Sequence, residues 1–288
     1  MRISEAFDLY KNNFLIAKHY SRRVIESHDY AKSDLVSNIG DKKLSKFTLE
    51  DVGSWARELH TRTLPDGSTK PRATNTVRSY MNRLRATIKY MDLIGEKCID
   101  YQLIPVPKHE DVEIGFLYED EVQAMIDNAF SLRNQFVISL LYSSGIRLSE
   151  FLSLNRDSIR DRTFNVIGKG GKNRLCFIDE RTEKLMTKYL KTRKDDCEAL
   201  VVSNVYKKRM TPTNVQLLIR NSAKRAGIER RVTPHMLRHS FATNFIRNNG
   251  NMRYLSRMLG HSDINTTMIY THVVDNDLFK QYDKFHSI

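Results

Sequence analysis

The chain has 288 residues, 40% hydrophobic and 28% charged, with a formal net charge of +13. That length gives room for two domains with a core each, and that composition excludes a disordered chain. A positive surplus of this size favours a polyanionic partner, nucleic acid foremost, with a generically basic surface as the bland alternative.

The excess is shared: residues 1–110 carry 19 Lys/Arg against 14 Asp/Glu, and residues 111–288 carry 28 against 20. Cys98, Cys176 and Cys197 are odd in number and scattered, which argues against a disulfide framework or a zinc site and fits a reducing cytoplasm. Phe136 to Tyr142, the longest apolar stretch, is too short to span a bilayer, and the N-terminus lacks the apolar run of a signal peptide.

Four helices are expected in the first hundred residues. Ser4–His19 places Ala6, Leu9, Tyr10, Phe14 and Ala17 at helical spacing. Ser21 is positioned to cap a second helix that ends near Gly40. Thr48-Leu-Glu-Asp51 resembles a capping box and opens a third, to about His60. Thr61–Ala73, with Pro65-Asp-Gly67 and Pro71, reads as a loop. Thr74 is positioned to cap a fourth helix that runs to about Leu93. Its apolar stripe is Val77, Met81, Leu84 and Ile88. Around that stripe stand Arg78, Arg83, Arg85 and Lys89. They form either a solvated face or a surface for DNA phosphates, and the lack of an acidic residue between Thr74 and Met91 favours the second.

Residues 101–115, with Pro105, Pro107 and no periodicity, read as an interdomain linker. Tyr118-Glu-Asp-Glu121 opens the next helix. Its acids suit a helix N-terminus better than a metal site. Phe136–Tyr142 belongs in a buried helix that Gly145 ends, with Arg147 following almost at once. Thr163–Gly168 and Arg174–Ile178 flank Lys169-Gly-Gly-Lys172 as a β-hairpin, and Leu200-Val-Val202 is a candidate short strand. Helices follow at about 180–194, 212–226, 233–248, 251–259, 262–271 and 275–286.

The densest chemistry lies in Thr233-Pro-His-Met-Leu-Arg-His239. Thr233 is a good N-cap and Pro234 suits the first helical position. His235 and Arg238, three apart, then share one face at the positive end of a helix, where an anionic oxygen is favoured. Leu259-Gly-His261-Ser262 starts another helix, and Tyr270 follows nine residues after His261.

With these residues the sequence resembles the tyrosine recombinase (phage integrase) family, its Xer-type members in particular. The signature is Arg147 in Gly145-Ile-Arg-Leu-Ser-Glu150, the hairpin Lys169, His235 and Arg238, His261, and Tyr270, in that order and register. The resemblance implies a mainly α fold with a small antiparallel β-sheet (α+β), arranged as a two-domain C-shaped DNA clamp. Residues 1–100 would be a helical, SAM-like core-binding domain, 101–115 a linker, and 116–288 the catalytic domain. It further implies that Tyr270 is the nucleophile, that His235 is general base and Lys169 general acid, and that His261 donates to the phosphate.

The residue types suit that chemistry. Two arginines grip the non-bridging oxygens of a phosphodiester with permanently charged forks. They would stabilise the transition-state charge without a metal. A phenol with a pKa near 10 needs a base to attack at neutral pH. Glu150, one turn after Arg147, is a candidate orienting residue, an exposed glutamate being the simpler reading. Lys172 remains the alternative to Lys169, because the arm from Arg147 is short and Cys176-Phe177 stand where a proline is usual. Lys172 and Arg174 join Arg78, Arg83, Arg85 and Lys89 as candidate DNA contacts. No cofactor, metal or ATP is expected, since the phosphotyrosyl link conserves the bond energy and no P-loop is present.

The expected partner is double-stranded DNA at a specific core site, bound by a homo-tetramer on two sites. A second recombinase or an accessory protein is a further candidate partner. Asp275–Phe285, with Leu278, Tyr282 and Phe285 at helical spacing, either packs on its own domain or, as in many relatives, docks into a neighbouring protomer. The chain starts almost directly with the core-binding helices, so an additional arm-binding domain is not expected. Chromosome dimer resolution and mobile-element integration or excision are both compatible. A type IB-like topoisomerase and a non-catalytic DNA-binding protein of the same fold are the rival readings.

Overall fold

The computed structural model describes residues 1–63, 67–110, 115–168 and 173–260. The chain divides into two compact units, residues 1–112 and 113–288. Among the described residues no helix is long and apolar enough to cross a membrane.

The N-terminal unit is a helical bundle. Its helices are α1 (Ile3–Tyr10), α2 (Arg22–Ile39), α3 (Leu49–Leu59) and α4 (Thr74–Leu93), with α1 continued by a wider π-type turn over Lys11–Ile16. The α3 cap forms as the sequence predicts: Thr48 Oγ1 accepts from Asp51 N at 3.3 Å, and the Asp51 carboxylate accepts from Thr48 N at 3.0 Å. Phe7, Leu35, Trp55, Val77, Met81, Leu84 and Ile88 close the core. The stripe predicted for α4 is therefore its buried face.

Three expectations need correction in this unit. Residues 61–73 are not wholly a loop. Thr61–Thr63 (β1) and Thr69–Pro71 (β2) pair antiparallel, with Arg62 opposite Lys70. Thr74 does not cap α4: Ala73 holds that position, and the Thr74 hydroxyl donates to Glu110 at 2.8 Å. The segment from 101 to 107 is no free linker. Ile104 is buried in the bundle core, and α4 binds the backbone on either side of it. Arg78 donates to Pro107 O, and Arg85 donates to Tyr101 O and Gln102 O. Lys89 lies over the Tyr101 ring at 5.6 Å. Carbonyls in an irregular segment need donors, and the α4 cations supply them.

His28 is 0% exposed within this core. Its Nε2 lies 2.9 Å from Phe7 O and donates to it, while Nδ1 is buried with no partner among the described residues. Burial chiefly holds the imidazole below its ordinary pKa of 6.5, and Arg83 and Lys11 add to that effect against the Phe7 hydrogen bond and Asp29. Below pH 6.5 the unfolded chain takes up a proton that the folded unit resists. Stability from His28 is therefore full above pH 6.5. It falls on acidification, by up to about 1.4 kcal/mol per pH unit, until the depressed folded-state pKa is reached. Denaturant melts between pH 7.5 and 5 should show a shallower loss for His28→Gln than for wild type. Parallel profiles would exclude the effect.

The C-terminal unit is built around α6 (Leu132–Ser144), which is apolar on nearly all sides and buried at Phe136, Val137, Ile138, Leu140 and Leu141. Its buried hydroxyls are both satisfied: Ser139 pairs with Thr182 Oγ1 at 2.6 Å, and Ser144 donates to Leu140 O. Packed against it are α5 (Glu119–Asp127), α8 (Glu180–Thr192), α9 (Pro212–Arg225) and α10 (Pro234–Arg247); α7 (Leu148–Ser153) packs on α9, and α11 (Met252–Leu259) on α10. A hairpin of β3 (Thr163–Ile167) and β4 (Asn173–Phe177) pairs Ile167 with Asn173 and Val166 with Arg174.

The acids opening α5 serve the cap: Glu121 accepts from Tyr118 N at 2.9 Å and pairs with Arg230 at 2.6 Å. The candidate strand at 200–202 forms only isolated bridges nearby, Asn155 with Ala199 and Val202 with Arg209. The helices expected at 262–271 and 275–286 lie outside the described residues. Mainly helical elements with small antiparallel sheets match the expected class.

Candidate active site

Three elements of the C-terminal unit bring the described signature residues together. Helix α10 begins as its sequence dictates, with Thr233 Oγ1 accepting from Met236 N at 3.1 Å and Pro234 in the first turn. Its next turn carries Arg238 into the interior, where the residue is only 3% exposed. Arg238 Nη1 donates to Gly145 O at 2.6 Å, and Nη2 donates to Leu259 O at 2.7 Å. The guanidinium thus joins the end of α6 to the end of α11. Both acceptors are late-helix or post-helix carbonyls, which lack intrahelical donors and favour a cation.

Two glycines make this possible. Gly145 ends α6 at φ 60°, and a Cβ there would lie 2.5 Å from the Phe241 ring. Gly260 ends α11 at φ 66°, and a Cβ there would lie 2.8 Å from Arg174 Cδ.

Arg147 caps α7. Its backbone N donates to Glu150 Oε2 at 2.7 Å, and its Nη1 to Glu150 Oε1 at 3.1 Å. Glu150 is not the exposed helix residue that simplicity suggested; it is 6% exposed. Its second cation is Arg174, whose Nη1 and Nη2 reach Oε1 at 2.8 Å and Oε2 at 2.5 Å. Although burial opposes its charge, the contacts with Arg174 and Arg147 hold the Glu150 carboxyl below the usual carboxylate range. Arg174 also donates from Nε to Met258 O at 2.9 Å. The expectation that Arg174 faces DNA is therefore corrected: its side chain is 8% exposed and bound on three nitrogens within the fold.

His235, at the start of α10, is solvent-exposed as a residue, yet its imidazole is held below the ordinary histidine pKa. Crowding by protein atoms is the main cause, and the positive charges of Arg238 and Arg147 follow. Both guanidiniums therefore act on one imidazole, which favours its neutral, proton-accepting form near pH 7. Lys169 and Lys172 belong to residues 169–172, and His261 and Tyr270 to residues 261–288; all four lie outside the described residues. The paired strands do bracket the two lysines, as the hairpin reading requires.

A model of the Phage integrase family matches residues 115–277, which contain every element of this site. The chain belongs to the phage integrase family. Tyrosine recombinase XerC of Psychromonas ingrahamii is 31% identical over 97% of this chain and 95% of its own length. Two solved structures share the fold. The Tn1549 transposon integrase in complex with transposon right end DNA has a TM-score of 0.77 at 15% identity, covering 100% of both chains. A lambda integrase tetramer bound to a Holliday junction has a TM-score of 0.74 at 13% identity, covering 91% of this chain and 78% of its own. As a phage integrase family member, the chain is a tyrosine recombinase, an enzyme of DNA strand cleavage and rejoining.

Among the positions that matter here, sequence reasoning missed the duties of Gly145, Gly260 and Arg174. The signal available for Arg174 lay in the alternation of the facing strand β3, not in its own strand. Arg174 shares a face with Cys176, and across the hairpin they pair with Val166 and Phe164, both buried.

Proposed function

We propose that this recombinase cleaves a short core site in double-stranded DNA through a covalent 3′-phosphotyrosyl intermediate at Tyr270. The observation that carries the reading is that Arg238, one turn after His235 on α10, binds Gly145 O, two residues before Arg147 at the start of α7, so that the three side chains gather at one place. The Tyr270 oxygen attacks phosphorus and the bond to the deoxyribose 5′-oxygen breaks. The phenol proton passes to His235, while Lys169 protonates the leaving oxygen. Arg147 and Arg238 stabilise the charge that develops on the non-bridging oxygens, and His261 adds a hydrogen bond. Attack by a new 5′-hydroxyl reverses each transfer and reseals the strand.

The net charge of +13 supports a salt-sensitive attraction to the phosphate backbone. Arg78, Arg85 and Lys89 serve neutral carbonyls and a ring of residues 101–107, so their charge still adds to that attraction. A tetramer on two sites, assembled through the C-terminal segment, is the working oligomer we assign, and the cytoplasm its compartment. The similarity to tyrosine recombinase XerC along nearly the whole chain supports the reading as a recombinase.

Nicked suicide substrates test the mechanism. Wild type should become trapped as a covalent adduct, and Tyr270→Phe should bind the same DNA without trapping. An adduct that forms equally well with Tyr270→Phe would reject the nucleophile.

A further inference from the structure

We infer that Arg174 is a positioning residue of the cleavage reaction, which holds the two phosphate-gripping arginines in register through Glu150 and the end of α11. The inference rests on the proposed roles of Arg147 and Arg238.

Glu150 is a buried carboxylate between two guanidiniums. Each of its oxygens takes one bond from Arg174 and one from Arg147, counting the Arg147 backbone N–H. The contact with Arg174 is a two-pronged, charge-assisted pair at 2.8 and 2.5 Å, whereas Arg147 gives a single side-chain bond at 3.1 Å. Arg174 is thus the principal counterion. With Glu150 neutralised, the Arg147 fork is not held as the sole partner of a buried anion and can turn to a phosphate. Without Arg174, the same carboxylate would bind Arg147 in its place, because a buried charge demands a partner.

The third nitrogen fixes geometry. Arg174 Nε binds Met258 O, and Arg238 Nη2 binds the adjacent Leu259 O. Consecutive carbonyls at the end of α11 therefore receive one arginine from β4 and one from α10. Arg174 ties Glu150, and through it the start of α7, to the same turn that Arg238 grips. Gly260 leaves room for this arrangement, since a Cβ at that position would meet Cδ, Nη1 and Nε of Arg174 at 2.8, 3.1 and 3.2 Å.

The test measures DNA affinity, its salt dependence, and the cleavage rate of a nicked suicide substrate at saturating enzyme. It uses the full chain as wild type, Arg174→Lys, Arg174→Met, Gly260→Ala, Gly260→Ala/Arg174→Met and Arg174→Met/Glu150→Gln. Arg174→Lys and Arg174→Met should cleave about 10- to 100-fold more slowly while Kd stays within about threefold, as expected for misplacement of catalytic groups. Gly260→Ala should reproduce that split, and combining it with Arg174→Met should add little. Glu150→Gln in the Arg174→Met background should restore part of the rate, because it removes the anion that captures Arg147. Loss of packing alone would give no such rescue.

A weakened Kd with a salt slope reduced by about one, and an unchanged saturated rate, would make Arg174 a phosphate contact and overturn the inference. So would a rate loss that Glu150→Gln deepens. If Arg174→Met does not fold, Arg174→Lys and Gly260→Ala decide by the same split. Failure of the underlying mechanism is separate: it would appear as an adduct with Tyr270→Phe, whatever the Arg174 variants do.

Discussion

Arg238→Ala should lower the rate of covalent-complex formation at saturating enzyme by about a hundredfold or more, and should also destabilise the C-terminal unit. The kinetic part follows from the loss of a preorganised cation at the site of developing charge, where removal of a single donor is typically worth about 10²–10³ in rate. The stability part follows from the two carbonyls that Arg238 serves, Gly145 O and Leu259 O. A buried carbonyl left without its donor costs about 1–3 kcal/mol, so roughly 2–6 kcal/mol is expected for the pair. Arg238→Lys keeps the charge without the planar fork, cannot span the two helix ends in the same way, and should fall between. Thermal melts and single-turnover cleavage measure the two parts independently. A saturated rate within about threefold of wild type for Arg238→Ala would remove Arg238 from the site.

The second large effect is expected at a residue without a side chain. Gly145→Ala should cost about 2–4 kcal/mol: about 1–2 for an alanine held at positive φ, and a similar amount for its Cβ driven into the Phe241 ring. Cleavage should fall with it, because the displaced carbonyl is the one that orients Arg238. Phe241→Leu in the same chain should recover the steric part only, leaving the backbone part in place. Differential scanning calorimetry on the two single variants and the double variant measures that coupling. Strict additivity would show that the ring and the glycine do not meet.

The physical reasons for these effects were unevenly legible in the sequence. Thr233, Pro234 and the three-residue step from His235 to Arg238 announce a capped helix with a cation in its second turn, and the fold contains that helix. Gly145 could be read as a helix end. Its contact with Phe241 could not, because the two lie on elements brought together only by packing. Arg174 shows the limit most clearly. In β4 the apolar Leu175 and Phe177 point outward while Arg174 and Cys176 point inward, the reverse of what hydrophobicity alone predicts. A buried carboxylate on another element draws the arginine in, and nothing local records that carboxylate. The segment from 101 to 107 was misread for a related reason. Its prolines and lack of periodicity mark irregular backbone correctly, but irregular backbone can still be fastened when a neighbouring helix offers donors. Lone cations on a helix face give no hint whether a phosphate or a carbonyl receives them.

The seating of two arginines on successive carbonyls, Met258 O and Leu259 O, has a mechanical corollary. A displacement of that turn loads both guanidiniums at once. One cannot be disturbed while the other stays put. Such a joint behaves as a single latch rather than two, so its rupture should be one event.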